Sequence, residues 1–309
     1  MILIAKDKII KFINKRLFKT PGVEFLRRNS QLIEKKKKFL NFWIKKSERN
    51  IGFKKFFFEQ NFNRNNLSEN VSDYTFDANN NFYIKNEMFD TLKNSGILII
   101  KNALPDFERQ EVINHFSELK NKKYLKHWTS MPSSFSRDES ELEVGYIKIN
   151  KFQYLKKYSD QATKNIYNKI VEPSVELHYL KLKNIEEKTL IRGETYLHSD
   201  RFLPHFKMFY TPFKIEKDDA PFQYAVGSHV IDDDYFNFFL KAKFFDETDQ
   251  ESLALTKKFV TVTTDENTLY IAFTNGLHKR SSFNKKFSER SMMFFQYVEK
   301  FNKLNYLFA

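Results

Sequence analysis

Residues 195–202 read TYLHSDRF and hold His198 and Asp200 two positions apart. On an extended strand, side chains at i and i+2 point the same way, so this spacing aims an imidazole and a carboxylate at one place. A nitrogen ligand, an oxygen ligand and one further His make the three-ligand face on which non-haem Fe(II) sites are built. The third ligand has two serious candidates downstream. His229 closes the segment DAPFQYAVGSH at 219–229, and His278 closes TLYIAFTNGLH at 268–278. A guanidinium fork matches a carboxylate bidentately. Arg290, which opens RSMMFFQY at 290–297, and Arg280, beside His278, are arginines near these histidines in sequence, each equally readable as a surface or salt-bridging residue. His178 lies on an alternating segment, ELHYLKL at 176–182, where a lone His serves equally as a core residue or a ligand contact.

The elements that must position these residues are mostly short strands. Segments 97–100, 176–182, 205–213, 222–226, 258–264, 269–273 and 291–298 are rich in β-branched and aromatic residues and read as strands. Pro105 marks a first helical turn, followed by Phe107, Val112, Ile113, Phe116 and Leu119 on one side of a helix, and 159–172 reads as a second helix. The mixed region 123–160 holds a loop-like stretch at 131–138, and the acidic, Phe-rich stretch 231–256 is an insertion read as helical. The strand ending in His278 is taken as continuous from 268, with Arg280 in the loop after it. His115 and His127 belong to the preceding helical part and carry no metal signal.

Order and spacing together resemble the phytanoyl-CoA dioxygenase family of Fe(II)/2-oxoglutarate oxygenases over residues 89–298. The resemblance rests on the HSD pair, the AVGSH turn, the strand leading to His278 and the Arg twelve residues beyond it. It implies a mainly β fold with flanking helices (α+β), a double-stranded β-helix (jelly-roll, cupin-like) core. It implies that His198, Asp200 and His278 ligate Fe(II), that Arg290 binds the far carboxylate of the co-substrate 2-oxoglutarate, and that His178 lines the cofactor pocket. The His of the family's Pro-Gly-Ser-His turn is not a ligand, which places His229 outside the metal set. Val226 replaces that Pro, and Ala220 stands where relatives usually carry Gly. Related halogenases have a small residue in place of the carboxylate, so Asp200 points to hydroxylation. The implied partners are a small-molecule substrate and dioxygen.

Bulk properties narrow the alternatives. With 7 Gly and neither GxGxxG nor GxxxxGK[ST], the common nucleotide-binding readings drop out. With no Cys, thiolate metal sites and Cys nucleophiles drop out too. Of the +13 net charge, residues 1–70 carry 18 basic against 6 acidic residues, and the remaining 239 are nearly balanced. The division expected is therefore a basic, helical N-terminal extension (1–70) and a catalytic domain (71–309). Residues 1–20 and 24–46 have amphipathic spacing interrupted by the run Lys35 to Lys38. That extension is expected to pack on the catalytic domain through Phe39, Trp43 and Phe57; peripheral contact with anionic membrane is the competing use, and nucleic acid is not an expected partner. At the N-terminus apolar residues precede the charges, the reverse of a secretory signal, and no apolar run approaches about 18 residues. A cytoplasmic location is expected. Two other readings keep the same fold: the same chemistry on a nucleic-acid or protein substrate, and a non-catalytic jelly-roll binding module.

Overall fold

The computed structural model describes residues 56–57, 64–121, 126–127, 140–168, 173–183, 197–200, 205–232, 234–235, 258–281 and 287–297. In chain order the strands are β1 (Thr75–Asp77), β2 (Ile97–Lys101), β3 (Lys126–His127), β4 (Ser140–Tyr146), β5 (Ser174–Lys183), β6 (Phe206–Thr211), β7 (Phe222–Ala225), β8 (Phe259–Val262), β9 (Thr268–Phe273), β10 (His278–Arg280) and β11 (Phe287–Gln296). Helices α1 (Asn86–Ser95), α2 (Asp106–Asn121) and α3 (Gln153–Tyr167) precede β5.

Two sheets form. The larger runs β1-β2-β9-β6-β11-β5-β4-β3, and the smaller runs β10-β7-β8. An isolated antiparallel bridge between His198 and His278 adds the segment 197–200 to the edge of the smaller sheet. From β5 onward the chain passes repeatedly from one sheet to the other: β5 large, 197–200 small, β6 large, β7 and β8 small, β9 large, β10 small, β11 large. That alternation is the winding of a jelly roll. The core is mainly β with helices on one flank, as expected.

Burial explains why these segments pair as they do. Side chains from both sheets, among them Phe209, Tyr224, Val260, Val262 and Tyr270, fill the space between them. The opposite face of the larger sheet presents Met208, Tyr210, Ile271, Met293 and Phe295 to the helices. β9 is therefore buried on both faces along its whole length, which is why TLYIAF reads as an unbroken apolar run and not as an alternation. The helix layer is held by a carboxylate. Glu108 of α2 is 1 % exposed, and it accepts the N–H groups of Tyr154 at 2.9 Å and Leu155 at 2.9 Å. These are orphan donors at the start of α3, whose own N-cap Phe152 offers no side-chain acceptor. Burial raises the Glu108 carboxyl, and the two N–H donors oppose that rise.

Part of the N-terminal extension belongs to this packing. Phe56 and Phe57 are buried and meet the Phe273 ring edge-on at 5.6 and 4.7 Å. Arg64, also buried, reaches Asp232 at 2.7 Å and Asp234 at 3.2 Å and donates to the carbonyls of Gly227 and Val230. The helices expected within 1–46, with Phe39, Trp43 and the lysine run, lie outside the described residues, as does most of the insertion 231–256. No helix among the described residues is long and apolar enough to cross a membrane.

Because Phe57 is fully buried against Phe273 and beside His229, Phe57→Ala is expected to lower unfolding free energy by about 3–5 kcal/mol. Urea denaturation measures it; a loss below about 1 kcal/mol would show the segment resting on the surface.

Candidate metal centre

The segment 197–200 and the segment 274–278 are tied by main-chain bonds. The N–H of His198 donates to the His278 carbonyl, and the N–H of His278 donates to the His198 carbonyl, both at 2.9 Å. The N–H of Asp200 donates to the Thr274 carbonyl at 2.9 Å. The two imidazole rings lie 4.4 Å apart as a result. One ligand atom from each of His198, Asp200 and His278 lies within 4.8 Å of the others, close enough for one ion to gather. The donor set is two imidazole nitrogens and one carboxylate oxygen, which suits a divalent transition metal and leaves an octahedral ion three open positions.

Two of these donors are set by their neighbours. Nδ1 of His278 donates to the Gly276 carbonyl at 2.9 Å, so Nε2 keeps its lone pair on the side facing Asp200, 3.6 Å from Oδ2. Burial alone would raise the Asp200 carboxyl. The Lys207 ammonium, followed by His278 and His205, instead holds it well below the usual carboxylate range, so it is an ionised carboxylate at neutral pH. Lys207 Nζ stands 2.7 Å from Asp200 Oδ2.

His278 does not end the strand that begins at Thr268. β9 stops at Phe273, a turn crosses between the sheets, and His278 opens β10. The crossing is tight: a Cβ on Gly276 would stand 2.4 Å from Tyr224 Oη and 3.0 Å from the Phe273 carbonyl. The 225–229 turn buttresses it. Ser228 Oγ accepts the Leu277 N–H at 2.7 Å and donates to the Ala225 carbonyl at 2.6 Å. Asn275 Nδ2 donates to the His229 carbonyl at 2.9 Å. His229 itself is turned away from the triad. Its Nε2 bonds the Lys93 carbonyl at 2.9 Å, and its ring stacks on Phe273 at 5.1 Å.

The two arginines also differ from the sequence-based placement. Arg280 is not in a loop: it lies on β10 two residues past His278, opposite Phe222, and is buried. It therefore shares the strand face of His278. Arg290 lies on β11 opposite Leu180, half-buried, and its Nη1 donates to the Ala220 carbonyl at 2.7 Å. Ala220 holds a left-handed conformation, φ 52°, which explains a Gly preference there. His178 is on β5, in register with Met292 of β11 and Val144 of β4. His115 sits on α2 beside Glu118 and edge-on to Phe152.

Two residues next to Asp200 went beyond the sequence reading. Lys207 is the second residue of β6, and alternation puts it on the face of Phe209, which points between the sheets. A Lys flanked by Phe206 and Met208 reads as the polar, outward position of a strand, yet here it is the inward one. His205 is buried and shares a 2.7 Å hydrogen bond between Nδ1 and Thr274 Oγ1.

No family model matches the sequence, and no curated protein matches it, so the phytanoyl-CoA dioxygenase resemblance is carried by its motifs alone. Solved structures similar to it include HygX from Streptomyces hygroscopicus with nickel and 2-oxoglutarate bound, at 13 % identity and a TM-score of 0.48, covering 71 % of this chain and 88 % of that one. The non-heme α-ketoglutarate-dependent epimerase SnoN from nogalamycin biosynthesis aligns at 13 % identity and a TM-score of 0.45, covering 67 % and 78 %. EctD from S. alaskensis, with 2-oxoglutarate and 5-hydroxyectoine, aligns at 13 % identity and a TM-score of 0.44, covering 73 % and 84 %.

The place of His229 has a pH signature. Burial foremost, opposed by the Lys93 carbonyl and helped by the Arg64 charge, lowers its pKa to about 3. The unfolded chain takes up this proton near pH 6.5, while the folded chain resists until about 3. Stability from this group is therefore whole above pH 6.5 and falls as pH drops toward 3, by up to about 1.4 kcal/mol per pH unit. Urea denaturation at pH 5 and 7 should show that slope in the wild type and a shallower one in His229→Gln. Equal slopes would place the wild-type imidazole in a solvated setting.

Proposed function

We propose that this chain is an Fe(II)- and 2-oxoglutarate-dependent dioxygenase that hydroxylates a small molecule. The observation that carries the reading is the triad. His198, Asp200 and His278 gather at one end of a jelly roll, on segments locked by reciprocal main-chain bonds. In this reading those three side chains hold the metal. Arg290 takes the far carboxylate of 2-oxoglutarate, and the Ala220 carbonyl that it now bonds is what it would exchange for that ligand. His178 lines the same pocket from β5. When bound, iron and 2-oxoglutarate supply the oxidation: 2-oxoglutarate leaves as succinate and CO2, and one oxygen atom of O2 reaches the substrate. The chain orients these groups and excludes side reactions. The carboxylate at position 200 keeps its coordination position filled, in favour of hydroxylation. The same reading keeps residues 1–70 as an extension outside the chemistry and places the enzyme in the cytoplasm.

Two variants test it. Anaerobic protein loaded with Fe(II) and exposed to O2 should convert 2-oxoglutarate to succinate, read by mass spectrometry, and Asp200→Ala should abolish both metal binding and succinate formation. Arg290→Leu should raise the 2-oxoglutarate concentration for half-maximal turnover about ten-fold or more while metal affinity stays unchanged, since it meets the ligand's distal end. Succinate formation that ignores iron, or an unchanged co-substrate requirement in Arg290→Leu, would remove the corresponding part of the assignment.

A further inference from the structure

Lys207 occupies a place that the proposed chemistry does not account for. Its ammonium lies 2.7 Å from Asp200 Oδ2, the carboxylate oxygen that also faces His278 Nε2 at 3.6 Å. A divalent ion drawn to that oxygen meets a positive charge already seated on it. Nor can the ammonium withdraw into water. Its side chain is 12 % exposed. Its strand is flanked by β9 and β11, with Ala272 and Gln296 as register partners. Its Nζ stands 4.5 Å from the centroid of the Phe294 ring, which offers a cation–π surface between the sheets.

We propose that Lys207 is the resident cation of the metal centre. It neutralises Asp200 while no metal is bound, is displaced when a divalent ion takes that carboxylate, and then pairs with the carboxylate of 2-oxoglutarate that lies beside the ion. This rests on the metal-centre reading above. The physical reason is charge balance in a water-poor space. Asp200 keeps one counter-charge at a time, and the displaced ammonium stays between the sheets, where an anion next to the metal relieves its repulsion with the ion. Metal and 2-oxoglutarate are then linked, because each removes a cost that the other faces. The coupling is reciprocal by necessity. An ordinary supporting residue behind a ligand behaves oppositely: its removal weakens metal binding about 10–100-fold.

The test is a titration of the full chain with Mn(II) as a redox-stable probe, by calorimetry, with and without 2-oxoglutarate and without turnover. Lys207→Met should bind Mn(II) alone more tightly than wild type, about ten-fold, the magnitude by which neighbours of metal ligands act but of opposite sign. The tightening that 2-oxoglutarate gives to Mn(II) in the wild type should be lost in this variant. Lys207→Arg, which keeps the charge, should behave as wild type. If Lys207→Met does not fold by thermal unfolding, Lys207→Gln is read by the same criteria. Mn(II) binding that is unchanged or weaker on loss of the charge overturns the role of Lys207 and leaves the metal centre standing. Failure of the wild type to bind Mn(II) at all overturns both.

Discussion

The reciprocal main-chain bonds between residues 198 and 278, each 2.9 Å, are the constraint on which the site depends. Side-chain ligands on independent loops would have to be ordered one by one, each at an entropic cost of about 1–2 kcal/mol per fixed residue. Here one antiparallel bridge fixes both histidines, and the Asp200 N–H on the Thr274 carbonyl fixes the carboxylate relative to the same pair. The rest of the jelly roll makes that bridge available. β6 of the larger sheet takes the chain up at 206, β9 delivers it to 273, and the turn at 274–277 carries it across to β10. Gly276 is required where Tyr224 approaches. The 225–229 turn, with His229 buried behind it, supports that crossing from below.

The second determinant is electrostatic. Asp200 is a partly buried carboxylate kept ionised above all by the Lys207 ammonium. Arg280 and Arg290 add two guanidiniums, on β10 two residues past His278 and on β11 bonded to the loop that precedes β7. Positive groups so placed favour anionic ligands. The Asp200 carboxylate in particular need not lose a proton before an ion binds it at neutral pH.

The meeting of His198, Asp200 and His278 was more legible in the sequence than the route of the chain. The i, i+2 spacing of His198 and Asp200 states its meaning locally, because strand alternation is a local property. The strands at 206–211, 222–225, 259–262 and 268–273 were visible from aromatic and β-branched runs, although their ends shifted by a residue or more. The crossing at Gly276 was not visible. The apolar run before it and Leu277 after it look continuous, and only the position of the opposite sheet reveals that the chain must change layers. The same ignorance of the opposite sheet put Arg280 in a loop and left Lys207 unremarked, since a lone lysine in a strand gives no sign of which face turns inward. Helix α1 has a weak signal for another reason: polar residues surround Met88, Phe89 and Leu92, and its clearest marker is Gly96, a left-handed cap at φ 82°. α3 begins at Gln153, earlier than its spacing indicates, because the acceptor for its first N–H groups comes from Glu108 on another helix.

The most direct measurement is a crystal structure of the chain grown anaerobically with Fe(II) and 2-oxoglutarate, with iron located by anomalous scattering. The account predicts one iron peak about 2.0–2.3 Å from His198, Asp200 and His278 donors, with 2-oxoglutarate running from it toward Arg290 and His229 still bonded to the Lys93 carbonyl. An iron peak ligated by His205 or His229 in place of His278, or no peak at the triad under saturating iron, would contradict it.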